Sequence, residues 1–391
     1  MQDLLSLTVL MGLAGGVPLL VGLLRIPIGE VVLLLVGGVI VGPSLLGWLT
    51  ISDGITLLSE LGLGLLFFLA GMHIDHTVLR GQIGRRAALG WFGSAALAGV
   101  IVVVLAATGL IVDAVGVGLA LTTTALGTLL PLLRDSGDLE SPLGRIFTAV
   151  GAWGELGPIL GIAILLGSKS VLAGGLSLVF FIFVALAISV VPRFAGRSRV
   201  VRLISEGYQR TSQMGVRLVL LLIVVLLTVA SGLGLDLVLG AFAAGLIVGR
   251  FVQGEQERPL MLRIESLAFG FFIPIFFVVS GAKLDLAAVL QQPARLAIYL
   301  MLFLVVRGLP QFLIFRGVLP SVRERSRLAL YAATTLPLLV AITTVEVEAG
   351  AMLPSNAAAL VGAGVLSVLI FPFIAGRIAG APAFAKQVLG S

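Results

Sequence analysis

Apolar residues run along this chain in long uninterrupted stretches, and polar residues collect in the short connections between them. A helix needs about 20 predominantly apolar residues to cross the hydrocarbon core of a bilayer. Runs of that kind fall at about 4–24, 28–47, 54–76, 85–108, 112–135, 142–168, 171–193, 213–232, 235–252, 261–283, 293–317, 325–347 and 355–380. The pattern predicts an all-α polytopic membrane protein of about 13 transmembrane helices.

Parts of the pattern occur twice. Gly37-Gly38-Val39-Ile40-Val41-Gly42 returns as Ala244-Gly245-Leu246-Ile247-Val248-Gly249. Phe67-Phe68-Leu69-Ala70-Gly71-Met72-His73-Ile74-Asp75 is echoed by Phe276-Phe277-Val278-Val279-Ser280-Gly281-Ala282-Lys283-Leu284-Asp285, and Thr123-Thr124 by Thr334-Thr335. The offset drifts only from 207 to 211. Seven spans separate the copies, and an odd number turns the second half over. The expectation is an inverted-topology repeat, an architecture that places binding sites near the bilayer midplane. The spacings Gly38-x-x-x-Gly42 and Gly245-x-x-x-Gly249 read as close-packing surfaces.

Composition agrees with the span pattern. Hydrophobic residues make up 59% of the 391 and charged residues 11%, against about 25% charged in a soluble domain. The net charge of +6 sits in loops, where it sets topology, and gives no reason to expect a nucleic-acid partner. Loops after odd-numbered spans carry nearly all the arginines, including Arg80, Arg85, Arg86, Arg197, Arg199, Arg202, Arg323 and Arg325, while the opposite side has only Lys169, Lys283 and Arg295. By the positive-inside rule the N-terminus is expected outside and the C-terminus in the cytoplasm of an inner (plasma) membrane. Cysteine is absent, which excludes disulfides and thiolate metal sites. His73 and His76 are the only histidines, too few for a multi-histidine centre, and are expected to be solvated at the end of a span. No cofactor is expected.

Ionisable groups inside a span are costly and mark function by default. Two lie near span centres. Glu155 stands in Ala152-Trp153-Gly154-Glu155-Leu156-Gly157-Pro158, and Arg307 in Val305-Val306-Arg307-Gly308-Leu309-Pro310. Burial and a nearby guanidinium act on a carboxylate in opposite senses, so the two together can let Glu155 exchange its proton near neutral pH, with Arg307 as its supporting charge partner. A carboxylate that holds either a proton or a monovalent cation, but not both, is a minimal exchange site. Glu346 and Glu348, at a span end, read as interfacial charge.

Helix breaks supply the remaining polar groups. Thr122-Thr123-Thr124 followed by Gly127 and Pro131 interrupts span 112–135, and Thr334-Thr335 followed by Pro337 interrupts its repeat partner at 325–347. Proline lacks an N–H and frees the carbonyl four residues earlier, here Gly127 and Ala333, while Pro158 frees Gly154. Backbone freed in this way can line a polar cavity and coordinate a cation. The polarity is expected to converge on Glu155, Thr123, Thr124 and Thr334.

Taken in order, these segments resemble the monovalent cation:proton antiporter-2 family, relatives of the bacterial sodium/proton and potassium-efflux antiporters. The likeness is carried by Leu61–Met72, Thr122–Leu133 and Phe271–Asp285 and extends over nearly the whole chain. It implies a sodium/proton antiporter-like fold with two crossing broken helices. Scaffold and dimerisation helices would occupy 4–76 and 213–283, core ion-binding helices 85–168 and 293–380, and a linker helix 171–193. It further implies a homodimer whose core moves in elevator fashion. Family members carry Asp-Asp, or a neutral residue followed by Asp, where this chain has Gly154-Glu155, and Arg307 is similar to a basic residue that many members carry on a later helix. The single carboxylate gives the expectation of electroneutral exchange of Na+ or K+ for a proton. The alternative is a sodium-coupled organic-anion symporter on a related inverted-repeat fold, which would call for more Asn, Gln or Glu at the crossing. An enzyme is not expected, since no His-Glu-x-x-His, Gly-x-Ser-Gly or paired intramembrane aspartates occur.

Overall fold

The computed structural model describes residues 2–24, 30–72, 81–165 (apart from 110, 112 and 136), 213–233, 237–251, 258–284 and 293–378, with 179, 183 and 287 singly. Every element among them is helical. The first part of the chain forms α1 (Gln2–Leu24), α2 (Glu30–Val41), α3 (Asp53–Met72), α4 (Gln82–Ala107), α5 (Ala114–Leu121), α6 (Leu126–Asp135) and α7 (Pro142–Leu165). The second part forms α8 (Met214–Gly232), α9 (Leu237–Phe251), α10 (Arg258–Leu267), α11 (Ile273–Ala282), α12 (Pro293–Phe303), α13 (Leu309–Ile314), α14 (Val322–Ala333), α15 (Pro337–Glu348) and α16 (Pro354–Ile378). A π turn, Ala268–Phe272, continues α10 into α11, and another, Leu304–Gly308, continues α12 into α13. Twelve of the thirteen predicted spans fall on these helices. The span at 171–193 lies outside the described residues, as do His73 and His76. Among the described residues eight helices, counting continued and broken ones as single spans, are long and apolar enough to cross a membrane.

The chain divides into two compact units. One holds residues 53–74 and 159–276. Here α3 packs on α9 so closely that a Cβ on Gly245 would overlap the Phe68 carbonyl, and one on Gly71 would overlap that of Phe242. The other unit holds 1–52, 75–158 and 277–391. In it α2 packs on α11 by the same device, Gly38 against the Val278 carbonyl and Gly281 against that of Leu35. The two pairs of contacts are related residue by residue by the sequence repeat, 38 to 245, 68 to 278, 71 to 281 and 35 to 242. This backbone contact joins residues 1–52 to the rest of the unit that contains 277–391.

Within this second unit two helices are broken. After α5 the hydroxyls of Thr122 and Thr123 donate back to the carbonyls of Leu119 (2.8 Å) and Ala120 (2.7 Å), a bond that competes with the helix. The backbone then leaves the helix until α6 begins at Leu126. After α14 the Thr334 hydroxyl bonds back to Leu330 (3.0 Å). Pro337 begins α15 in the first turn, where its missing N–H costs no hydrogen bond.

Candidate ion-binding site at the helix crossing

The two non-helical segments are joined to each other through the backbone. Ala125 N–H donates to the Thr334 carbonyl (2.8 Å), the Thr124 hydroxyl donates to the Ala332 carbonyl (2.7 Å), and the hydroxyls of Thr123 and Thr335 bond to one another. Two half-helices, α6 and α15, therefore begin at the crossing and two, α5 and α14, end there. Helix N-termini carry partial positive charge and C-termini partial negative charge, so the crossing is polar before any side chain is added.

Helix α7 brings the carboxylate. Pro158 cannot bond to Gly154, and the Gly154 carbonyl accepts the Thr124 N–H instead (3.1 Å), which ties α7 to the first break. One residue on, the half-buried Glu155 turns its carboxylate to the start of α6, where Gly127 N–H points at Oε1 from 3.5 Å. The acid thus lies on the positive end of a half-helix, a position suited to an anion.

Arg307 enters from the π turn between α12 and α13 and is fully buried. Its Nε donates to the Thr124 hydroxyl (2.8 Å) and its Nη2 to the Val150 carbonyl (2.7 Å), while Nη1 has no hydrogen-bond partner among the described residues. No ion pair joins it, the expected supporting charge partner, to Glu155 among the described residues. The reason is steric and local. A Cβ at position 154 would lie 2.5 Å from the Thr124 hydroxyl and 2.7 Å from Arg307 Nη2. Glycine leaves that space to the guanidinium, which fills the place of a side chain preceding the acid and is held there by Thr124 and Val150.

The threonines are committed to protein groups. Thr122, Thr123 and Thr334 bond to their own helices, and Thr124 links Arg307 to the second break. The expected convergence is therefore narrower: Glu155 meets the backbone at Gly127, not the hydroxyls of Thr123, Thr124 or Thr334. Pro131 lies inside α6, and Gly127 in its first turn, so the break precedes both. The carbonyls that link the two breaks are those of Ala332 and Thr334, on either side of Ala333. Glu348 is partly exposed and pairs with Lys283 at 3.0 Å, but Glu346, expected to be interfacial, is only 2% exposed.

Ser367 was not singled out from the sequence. Its hydroxyl accepts from Thr335 N–H (3.0 Å) and lies 2.9 Å from the Thr335 carbonyl, holding the second break from α16. The signal available was a lone polar residue in the apolar run Val361–Phe371.

Comparison with known proteins accords with this geometry. The family model described as sodium/hydrogen exchanger, transmembrane, matches residues 7–380. YjbQ of Bacillus subtilis, named as a Na(+)/H(+) antiporter, is 29% identical over 320 residues, covering 77% of this chain and 51% of its own. GerN of Bacillus cereus, a Na(+)/H(+)-K(+) antiporter, is 26% identical over 66% of each chain. The glutathione-regulated potassium-efflux protein KefC of Klebsiella pneumoniae is 26% identical, covering 77% of this chain and 49% of its own. The chain thus spans about half the length of YjbQ and KefC. In three dimensions it is similar to the sodium proton antiporter MjNhaP1 of Methanocaldococcus jannaschii, with a TM-score of 0.68 at 19% identity over 98% of this chain and all of that one, a likeness of fold.

Proposed function

Because the chain belongs to the sodium/hydrogen exchanger transmembrane family, and so is a multi-pass membrane protein, we propose that it exchanges a monovalent cation, Na+ or K+, for protons. The observation that carries this reading is the Glu155 carboxylate at the N-terminus of half-helix α6, beside a crossing of two broken helices. A proton and a cation compete there for the same two oxygens. Arg307 does not share the ion; it fixes Thr124, and through it the break that positions α6. The names of the relatives support the two candidate cations.

One carboxylate at the site supports an exchange of one cation for one proton, with no net charge moved. In this reading the helices of 85–168 and 293–380 carry the site from one side to the other against those of 4–76 and 213–283, in elevator fashion. The protein works as a homodimer in the inner membrane, N-terminus outside and C-terminus in the cytoplasm.

The test is ion-stimulated proton movement in proteoliposomes, with sodium, potassium and lithium in turn and Glu155→Gln as the control. The expected result is that one of these cations collapses an imposed pH gradient in the native protein and none does in the variant. Clamping the membrane potential is expected to leave the rate unchanged. No proton movement with any of the three would overturn the exchange reading, and sodium-driven uptake of organic anions would then be measured.

A further inference from the structure

A second group of buried acids lies at the other end of α5 and α15, and the exchange reaction does not use it. Asp113 stands immediately before α5 and is 6% exposed. The Asn356 amide, from the first turn of α16, donates to both of its carboxylate oxygens at 2.7 and 3.0 Å. The Asn356 oxygen accepts in turn from the Tyr299 hydroxyl of α12. Every polar atom of the amide is thereby engaged, and Asp113 is held by a neutral partner.

Glu346, near the end of α15, is directed at this network. It is 2% exposed, makes no side-chain hydrogen bond among the described residues, and lies within electrostatic reach of Asp113. Its carboxylate is seated against α5 itself, since a Cβ on Gly116 would come within 2.9 Å of its Cδ and Oε2. Around it α4 offers no ionisable residue between Arg86 and the start of α5. On α12, Arg295 acts on Tyr299 and forms no ion pair with either acid. On α15 the neighbouring Glu348 is already paired with Lys283. Two buried acids thus lie within electrostatic reach of each other, with no cation in ion-pair contact with either among the described residues.

Such a pair is costly when both members are ionised, because like charges at short range in a low-dielectric setting repel strongly. A bound metal cation is poorly served, since the Asn356 oxygen is occupied by Tyr299 and Glu346 is pressed against a helix. A proton needs no such coordination shell. We propose that Glu346 and Asp113 form a second proton-binding site, distinct from Glu155 and about 12 Å along α5 from the crossing. The pair holds one proton between them, with Glu346 carrying it. Its release places two negative charges between α5 and α15, so the fit of these two half-helices depends on pH at that end of the protein.

The test is infrared titration of the carboxylic C=O stretch in the full chain carrying isotope-labelled glutamate, a readout that does not depend on transport. At neutral pH the native protein is expected to show a protonated-glutamate signal that survives in Glu155→Gln and is lost in Glu346→Gln. In Asp113→Asn the signal is expected to persist and to titrate over a pH range lower by on the order of one unit, because the neighbouring charge is gone. A signal unchanged by Glu346→Gln overturns the proposal. So does an Asp113→Asn variant whose titration does not move, and that arm decides the matter by itself if Glu346→Gln fails to fold. Failure of the exchange reading would instead be seen as absent proton flux with this signal intact.

Discussion

The two helix breaks occupy matching places in the repeat and are unlike in chemistry. At the first, Thr124 gathers the Gly154 carbonyl, the Ala332 carbonyl and the Arg307 guanidinium, and Glu155 stands at the start of the following half-helix. At the second, Thr335 is held by Ser367 alone from outside the crossing, and no charged side chain bonds to it among the described residues. The repeat therefore provides the shape twice and the charge once. On the proposed function, exchange chemistry belongs to the departure from symmetry, with the second break as a neutral support.

Substitutions at four positions test that division. Arg307→Met is expected to do most. It removes two charge-assisted bonds, each contributing about 1.5–3 kcal/mol, so the initial rate of cation-driven proton flux should fall on the order of 10- to 100-fold. Arg307→Lys should recover part of it, because a lysine keeps the charge but not the planar fork that reaches Thr124 and Val150 together. Gly154→Ala comes next. The new methyl meets the short Thr124 side chain at 2.5 Å, and overpacking of this kind costs about 1–3 kcal/mol, to be read as a lowered unfolding midpoint in detergent together with reduced flux.

At the neutral break, Ser367→Ala should lower stability by about 1–3 kcal/mol, since it strands the buried Thr335 N–H, while flux in the surviving protein stays close to native. Loss of transport with unchanged stability would put the second break inside the chemistry and erase the distinction. Gly364→Ala is expected to do least. Its methyl meets the Leu339 Cδ2 at 2.5 Å, the far end of a flexible side chain, and the helix gains about 0.5–1 kcal/mol from replacing glycine. Near-neutral unfolding is the expected outcome, in contrast to Gly154→Ala.

What the sequence made legible was local. Long apolar runs, the repeated glycines and the Thr-Thr clusters each declare themselves within a few residues, and they led to the helices, the inverted repeat and both breaks. Pro158 likewise announced a free Gly154 carbonyl. Partners chosen across the fold were not legible. Arg307 and Thr124 lie 183 residues apart, Asn356 and Asp113 lie 243 apart, and nothing near Arg307 says that it prefers a hydroxyl and a carbonyl to Glu155. Glu346 stands two residues from the paired Glu348, and only the helix facing it decides that one is buried and the other wet.

The reciprocal glycine contacts bear on ancestry. Gly38 rests on Val278 and Gly245 on Phe68, so in both cases a helix from one half of the chain finds its seat in the other half. A half-length forebear would have had no such seat within itself. It would have found one only in a second copy inserted the opposite way up, and fusion of two such copies into one gene would then have freed each to change alone, as Glu155 and Arg307 have.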